Sequence, residues 1–597
     1  MNVYHPNPQI SAVLDAAEPV ADTFQSGDDG GAIPPGGDDG SSGGPPSGPP
    51  GGPIHESGDP HLPDCALEPE TDIGNGRRLL IRHGDKILHV ANVGLHVYDG
   101  TRWKWDETDS LARKLTHDTV ERIGDERFLL AYAEFEQRLV DEAESTAGEL
   151  KQLRAKKADE KSPQEAARQT ELGNLEFAAA EARKALRARK QSRARHAKSS
   201  AGSSKLDNMT KEAAPYITRT IDEMDADPLM LNCRNGTLRF FDAGPPGKSL
   251  WDIEFVPHGR EDLITKCCSA EWHEDAAADL FEAFLERMQP VEAVRRFIQR
   301  YLGYCLLGLT HEQVFCFFHG GGRNGKSTLV DIVCRILDDY ATTVPIETLA
   351  GEQRRKGGDA TPDLMRVPGA RLVRASEPES NMKLREATIK SLTSDEPILI
   401  RALHRDFNEI YPQFKLLISG NHKPRIDNDD NGMWRRVLLV PWAIKLEKHE
   451  VDKLLGKKLW GERDGIFAWL VRGALSYLQE GLDPPEEVLA ATEEYRTESN
   501  PIGAFLDARC EFTGDLKNDR LSPGDFFADY EKTRESQGWP QFQLSTFTKR
   551  LPEQAETRGA VKHKSNGLIV YCGVRFRGFG DMGSGSSAPP GEETIEF

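Results

Sequence analysis

The chain has 597 residues and a formal net charge of −20, with 96 Asp and Glu against 76 Lys and Arg. That length predicts roughly three to five domains, and the acidic total excludes a protein that coats nucleic acid with its whole surface. The nine cysteines include no C-x-x-C pair, so the sequence lacks the ligand spacing of a zinc finger or ribbon.

The sequence also lacks the features of a membrane or secreted protein. No apolar run approaches the ~20 residues that a membrane span requires. The N-terminal stretch MNVYHPNPQI has neither the basic nor the apolar part of a secretory signal. We therefore expect a cytoplasmic protein with reduced thiols and no membrane association.

The N-terminal region is rich in residues that break helices and strands. Residues 26–60 contain 12 Gly and 8 Pro, together with two pairs of aspartates. Such a segment buries too little apolar surface to offset its chain entropy. We predict disorder for residues 1–75.

Short apolar runs between turn residues predict β structure in two parts of the region 76–270. The first is 77–106, which contains Gly-Asp and Asp-Gly turns. The second is 227–242, where Asn235-Gly236 is a candidate for a type I′ hairpin turn.

A charged, helix-prone insertion at about 135–205 separates these two parts. Its segment from Arg183 to Lys198 has eight basic residues and no acidic one. Two interpretations remain open. The insertion is either an arm that contacts nucleic acid or a solvated helical segment, with too few apolar heptad positions for a coiled coil.

The spacing of apolar residues divides the remainder of the chain into predicted segments. It predicts a helical subdomain at 271–310, an α/β core at 311–445 and a further helical segment at 446–500. A small domain follows at 501–576. Residues 577–597 are rich in Gly, Ser and Pro and end in acidic residues, which predicts a flexible tail.

The most specific motif lies between a predicted strand, VFCFF at 314–318, and an amphipathic helix. Residues 320–327 read GGGRNGKS and fit G-x-x-x-x-G-K-[ST] at every position. In such a P-loop, backbone N–H groups and the helix N-terminus surround phosphate oxygens. We predict that Lys326 contacts the β- and γ-phosphates of ATP and that Ser327 binds Mg²⁺. The predicted nucleotide-binding residues are Gly320, Gly321, Gly322, Arg323, Asn324, Gly325, Lys326, Ser327 and Thr328.

Two later strands are predicted to end in polar residues. RLVRASEPE at 371–379 ends at Glu377, a position from which a carboxylate supports Mg²⁺ and polarises water. Glu379 follows two residues later, and the division of these roles between the two glutamates stays open. The strand within 413–426 ends at Asn421, whose amide is predicted to hold the attacking water or to sense the γ-phosphate.

A pair of arginines precedes the next predicted strand, in NGMWRRVLLVPW at 431–442. An arginine at this place can reach the nucleotide of a neighbouring subunit and stabilise the charge of the transition state. Arg435 and Arg436 are therefore both candidates for an arginine finger, and a structural ion pair is the alternative for each.

The order of these motifs resembles superfamily 3 helicases. The stretch from about 77 to 576 is similar to the phage and plasmid primase–helicase family, which is itself similar to the poxvirus-type primase–helicase. Supporting stretches include DGTRW at 99–103, LNCRNGTL at 231–238 and IKSLTSDEPILIRALHRDF at 389–407.

The resemblance implies an α/β fold with a P-loop AAA+-like helicase core, a helical N-terminal subdomain and a C-terminal winged helix at 501–576. It implies an ATP-dependent DNA helicase for phage, prophage or plasmid replication, located in the host cytoplasm. Such proteins hydrolyse ATP, with Mg²⁺, between the subunits of a hexameric ring and move 3′ to 5′ along single-stranded or forked DNA.

The resemblance also implies that a hairpin within 389–410 grips DNA in the pore of the ring. The candidate phosphate contacts are basic residues of this segment, with a solvated basic face as the alternative. They are Lys390, Arg401, His404 and Arg405.

Three further expectations concern activity and partners. The sequence before the core has no Cys or Asp pattern of a primase, so we expect no primer synthesis. The acidic tail that ends in Phe597 is either an ordinary solvated terminus or a docking segment for replication proteins. Competing functions are a DNA-packaging motor and a non-catalytic scaffold. The arginine pair and the hairpin segment favour a helicase over the first, and the intact P-loop argues against the second.

Overall fold

The computed structural model describes residues 59–351, 361–379, 382–401, 407–426, 431–565 and 568–577. Residues 1–58, which make up most of the segment predicted to be disordered, lie outside this set. The predicted tail also lies outside it from residue 578 onward.

The described chain begins with two helices, α1 (Leu62–Leu67) and α2 (Asp72–His83). Arg78 on α2 is fully buried, and its Nε lies 2.9 Å from Oε1 of the equally buried Glu126. The prediction of disorder is therefore wrong for residues 59–75. Contacts with residues far along the chain stabilise these helices, and local composition does not reveal such contacts.

A four-stranded sheet with the order β3-β2-β1-β4 follows, in which β1 is parallel to β4 and antiparallel to β2. The β structure predicted at 77–106 begins only at Ile87, because the preceding apolar residues belong to α2. The strands are β1 (Ile87–Val90), β2 (Gly94–Tyr98), β3 (Trp103–Trp105) and β4 (Thr218–Arg219).

A three-stranded antiparallel sheet contains the second predicted hairpin. Its strands are β5 (Met230–Cys233), β6 (Gly236–Asp242) and β7 (Trp251–Val256). Cys233 pairs with Gly236, so the turn residues are Arg234 and Asn235, and neither has a positive φ. The predicted type I′ turn at Asn235-Gly236 is therefore wrong. The Asn235 side chain instead bonds both the backbone N–H and the carbonyl of Trp272, at 2.8 and 3.0 Å.

The charged insertion is helical, as expected. Its two long helices run antiparallel and are joined by ion pairs such as Glu149–Arg168 and Glu144–Arg183. The helices of this region are α3 (Ser110–Ile123), α4 (Glu134–Ala155), α5 (Pro163–Ser200) and α6 (Ser203–Ala213).

The α/β core is a five-stranded parallel sheet with the order β14-β8-β13-β10-β9. Numbered by their order along the chain, the strands lie 5-1-4-3-2. The sequence predicted four of them and missed β9, which is only three residues long. The strands are β8 (Phe315–His319), β9 (Ala341–Thr343), β10 (Leu372–Ser376), β13 (Lys415–Gly420) and β14 (Val437–Pro441), and an antiparallel hairpin of β11 (Ile398–Arg401) and β12 (Phe407–Ile410) lies between β10 and β13 in the chain.

Both faces of this sheet are covered, as parallel sheets require. Cys316 and Phe318 of β8 point into a core shared with helices before and after the sheet, whereas Phe315 and Phe317 point into a second core with the β11–β12 hairpin. The helices are α7 (Asp279–Met288), α8 (Glu292–Tyr304), α9 (Lys326–Leu337), α10 (Ile346–Leu349), α11 (Glu386–Leu392), α12 (Asn431–Trp434), α13 (Leu455–Gly461), α14 (Arg463–Glu480) and α15 (Glu486–Ser499).

The C-terminal region has its own buried core around Phe505, Tyr530 and Phe547. Helices predicted near 524–536 and 543–552 are present as α17 and α18, and strands are present near 568–576. The assignment as a winged helix stays a prediction. The elements are α16 (Pro501–Arg509), β15 (Cys510–Phe512), β16 (Arg520–Leu521), α17 (Pro523–Gln537), α18 (Leu544–Thr557), β17 (Val561–Ser565), β18 (Leu568–Cys572) and β19 (Val574–Phe576).

Candidate active site

The GGGRNGKS loop connects the carboxyl end of β8 to the first turn of α9. Gly325 has a φ of 79°, in the left-handed region that favours glycine. A Cβ at this position would also lie 2.7 Å from Cγ of Met288 and 2.9 Å from Cε2 of Phe284. The backbone conformation and the close packing of α7 therefore both favour glycine at position 325. The contact with α7 also fixes the place where α9 begins.

Lys326 is the first residue of α9 and is only 4% exposed. Its Nζ donates to the carbonyl of Gly320 at 2.5 Å and to the Oδ1 atoms of Asn324 and Asn421, each at 3.2 Å. Burial lowers the pKa of this ammonium, while the negative charge of Glu377 acts in the opposite direction. Three oxygens therefore surround a buried positive charge at the mouth of the loop.

Asn421 and Glu377 reach the same place because their strands neighbour β8 in the sheet. β13 pairs with β8, and β10 pairs with β13, all in parallel. Asn421 directly follows β13, and Glu377 directly follows β10. The carboxyl ends of parallel strands meet at one edge, which brings together the three predicted residues Lys326, Asn421 and Glu377.

The Glu377 backbone is fixed in an unusual conformation. Its φ of 57° lies in the left-handed region, which is uncommon for a residue with a side chain. Its backbone N–H donates to the carbonyl of Ser419 at 2.8 Å, and the next residue, Pro378, packs on Gly420. Glu377 and Glu379 are both exposed, but only Glu377 is close enough to influence the pKa of Lys326.

The loop is also held from its other side, by contacts that the sequence does not reveal. The Asn324 amide donates to the carbonyl of Trp442 at 3.3 Å, and the carbonyl of Arg323 accepts from the N–H of Leu446 at 2.9 Å. A Cβ on Gly320 would lie 2.1 Å from the Trp442 oxygen. No sequence signal identifies these partners, because they lie more than a hundred residues along the chain.

Ser327 is exposed in the first turn of α9, and Thr328 is half-buried. The exposed hydroxyl and the exposed Glu377 carboxylate are hard oxygen donors of the kind that Mg²⁺ prefers. The donor chemistry at this edge therefore fits Mg²⁺.

The two predicted arginines lie at the opposite edge of the sheet, before β14. Arg436 is 7% exposed and donates to the Thr393 hydroxyl at 3.2 Å and to the Gly432 carbonyl at 2.6 Å. Arg435 is exposed and forms no ion pair with any described residue. Arg435 and Arg436 each donate through Nη2 to the side-chain oxygen of Gln313, at 3.4 and 3.2 Å. Their environments therefore differ, although their sequence positions are equivalent.

Comparison with known proteins extends these observations. Residues 76–290 match the family described as D5 N terminal like, and 318–436 match a family of unknown function, DUF5906. A protein of Acanthamoeba polyphaga mimivirus named as a helicase is 28% identical over 51% of this chain and 33% of its own length. One of Frog virus 3, also named as a helicase, is 30% identical over 42% of this chain and 27% of its own length.

Primase D5 of Fowlpox virus is 29% identical over 24% of this chain and 18% of its own length. The apo structure of the NrS-1 C terminal region matches 57% of this chain and 96% of its own, at 13% identity and a TM-score of 0.34. The chain spans a third or less of the length of these curated relatives.

Residues 76–290 therefore belong to the D5 N terminal like family, and the chain is similar to viral proteins named as helicases and primases.

The β11–β12 hairpin lies in the segment that the sequence assigned to DNA contact. Lys390 is on α11, and Arg401 ends β11; both side chains are half-buried. His404 and Arg405 lie outside the described residues. The hairpin itself is therefore present, and its role in gripping DNA stays a prediction.

Three of the eight basic residues between Arg183 and Lys198 pair with acidic residues outside α5 in the described structure. Arg183 pairs with Glu144, Arg189 lies 2.5 Å from Glu136 on α4, and Arg193 pairs with Glu70 and with the buried Glu126. These pairs attach one part of the basic segment to its own chain, and the choice between a helical insertion and an arm for nucleic acid stays open. Within the described ranges, no helix is long and apolar enough to cross a membrane.

Proposed function

We propose that this chain is the motor of a superfamily 3 DNA helicase, which hydrolyses ATP between the subunits of a ring and translocates on DNA. The observation that carries the proposal is the convergence of Lys326, Asn421 and Glu377 at one edge of the parallel sheet, around the G-x-x-x-x-G-K-S loop. Similarity to proteins named as helicases supports DNA as the polymer on which this chain acts.

Each residue then has a chemical role. Lys326 exchanges its protein oxygens for phosphate oxygens and stabilises the negative charge that develops on the γ-phosphoryl group. Glu377 orients and polarises the attacking water, and Asn421 holds this water or senses the γ-phosphate. Ser327 and Glu377 would hold Mg²⁺, which supplies positive charge to the phosphate oxygens when it is bound.

Arg435 completes the site of a neighbouring subunit. The amino and carboxyl edges of a five-residue strand are separated by roughly 16 Å. Arg435 therefore lies too far from Lys326 of its own chain to serve the same nucleotide. Its exposed position suits a contact in trans, which requires an assembly of several copies, a hexamer by family resemblance.

Strand displacement on a forked oligonucleotide tests this proposal. ATP hydrolysis is measured with and without single-stranded DNA, and the assembly is sized in parallel. We expect ATP-dependent displacement by an oligomer, with a rate of hydrolysis that rises when DNA is added. Hydrolysis and displacement that are absent from the wild-type chain, or unaffected by Lys326→Ala, would contradict the proposal.

Primer synthesis can be measured on the same DNA. Relatives named as primases match part of this chain, so the expectation that primer synthesis is absent stays a prediction. Labelled nucleotide that is incorporated without a primer by the wild-type chain would overturn it.

A further inference from the structure

Gln313 lies in the turn before β8, at the amino edge of the core sheet. It has a φ of 53°, in the left-handed region that residues with a side chain rarely adopt. Strain of this kind persists only where surrounding contacts maintain it, and it concentrates at functional positions. The contacts of the Gln313 side chain are therefore informative.

The side-chain oxygen of Gln313 accepts hydrogen bonds from both arginines of the pair before β14. The distances are 3.4 Å to Nη2 of Arg435 and 3.2 Å to Nη2 of Arg436. Arg436 is buried and has further partners in Thr393 and Gly432. Among the described residues, Gln313 provides a side-chain acceptor for the exposed guanidinium of Arg435.

The side-chain amide nitrogen of Gln313 points to a different element. It donates to Oδ1 of Asp395 at 3.2 Å. Asp395 lies in the turn that joins α11 to β11, which is the base of the β11–β12 hairpin. The single amide group thus connects the arginine pair with the hairpin base, through one acceptor and one donor.

Arg436 forms a second connection between the same two elements. Its Nε donates to the hydroxyl of Thr393 at 3.2 Å, and both groups are at most 7% exposed. Thr393 follows α11 directly and lies two residues before Asp395. A displacement of the hairpin base would therefore act on Gln313 and on Arg436 together.

We propose that Gln313 is a positioning residue, which orients Arg435 for the nucleotide of a neighbouring copy and couples it to the base of the β11–β12 hairpin. This inference rests on the proposed function, since it assumes that Arg435 acts on ATP and that the hairpin contacts DNA. DNA that binds to the hairpin then changes the rate at which the neighbouring copy hydrolyses ATP. The change is transmitted through the contacts of Gln313 with Asp395 and Arg435.

The first test measures kcat and KM for ATP in the full chain with single-stranded DNA at saturation. A misplaced arginine lowers kcat, so Gln313→Ala should reduce kcat roughly 10- to 100-fold. KM for ATP should stay near the wild-type value, because Gln313 does not contact the nucleotide of its own chain. Since Gln313 acts through Arg435, the double variant Gln313→Ala/Arg435→Ala should be no slower than Arg435→Ala alone. Effects that multiply in the double variant would overturn the positioning role.

The second test exchanges donor and acceptor. Gln313→Glu keeps an oxygen for both arginines but loses the N–H that Asp395 accepts, and it places two carboxylates together. The ratio of hydrolysis with DNA to hydrolysis without DNA should fall in this variant. Adding Asp395→Asn restores a hydrogen bond in which residue 395 donates and residue 313 accepts. The ratio should then recover to at least half of the wild-type value, and a ratio that stays low would overturn the coupling.

Two controls separate the possible failures. Thermal unfolding and sizing of each variant identify a loss of folding or assembly, and the exchanged pair tests the contact even where Gln313→Ala is unstable. A wild-type chain that hydrolyses no ATP would overturn the proposed function and this inference with it. An active wild-type chain with unaffected Gln313 variants would overturn the inference alone.

Discussion

The two edges of the core sheet both contain basic and amide side chains, but the exposure of the basic side chains differs between them. At the carboxyl edge, the buried ammonium of Lys326 is surrounded by oxygens of its own chain. At the amino edge, Arg436 is buried in the same way, but its neighbour Arg435 is exposed. The carboxyl edge gathers Lys326, Asn324 and Asn421 of one chain, whereas the amino edge presents the exposed guanidinium of Arg435. We interpret this difference as the two halves of a site that forms between copies.

The largest expected effect is at the carboxyl edge. Lys326→Ala removes the positive charge proposed to meet the phosphates, which should lower ATP hydrolysis by more than roughly 10³-fold. The variant should remain folded, which thermal unfolding checks. Lys458→Ala is a suitable control, because Lys458 is an exposed lysine that pairs with Asp452 on the surface. Near-normal turnover by Lys326→Ala would remove the basis of the ATPase assignment.

The second prediction tests whether the amino edge serves another copy. Arg435→Ala should lower kcat by about 10³-fold, as loss of an arginine finger does. Mixing this variant with Lys326→Ala should restore part of the activity, since some interfaces then combine an intact Lys326 with an intact Arg435. Arg296→Ala, at an exposed arginine paired with Glu292, serves as the control. Mixtures that never exceed the sum of their components, over a range of ratios, would rule out Arg435 as a finger in trans.

The third prediction concerns the neutral residue at the carboxyl edge. Asn421→Ala removes one oxygen from Lys326, together with the amide that we propose to hold the attacking water or to sense the γ-phosphate. We expect kcat to fall by about 10²-fold, less than for Lys326→Ala, because the charge of the lysine is retained. Single-turnover hydrolysis measures the chemical step directly. A rate within a few-fold of wild type would limit Asn421 to a structural role.

The smallest effect on catalysis, and the largest on folding, is expected for Arg436. Arg436→Ala removes the buried guanidinium that donates to Thr393 and Gly432, and it should reduce the free energy of unfolding by roughly 2–3 kcal/mol. Arg435→Ala should change it by less than about 0.5 kcal/mol, because the side chain is exposed. Denaturant unfolding measures the free energy of unfolding of both variants. Equal free energies would show that the buried arginine contributes no more to stability than the exposed one.

Several elements could be predicted from local sequence pattern. The GGGRNGKS loop between a strand and a helix, the strands that precede Glu377 and Asn421, and the helices of the charged insertion all follow from residue types and spacing over short stretches. Even the presence of a hairpin between β10 and β13 was expected, although only from family resemblance. Such signals are local because backbone conformation and amphipathic periodicity act over a few residues.

Contacts between distant segments set the environment of each of these residues. The adjacent arginines Arg435 and Arg436 differ in exposure because Thr393, more than 40 positions away in the sequence, packs against Arg436. Likewise, the glycine- and proline-rich start of the chain predicted disorder for residues 1–75. Residues 59–75 nevertheless include α1 and the first turn of α2, and Arg78 of α2 pairs with the distant Glu126. Several basic residues of α5, among them Arg183, Arg189 and Arg193, pair with acidic residues elsewhere in the chain. Burial and charge pairing depend on contacts between distant segments, and no short stretch of sequence encodes them.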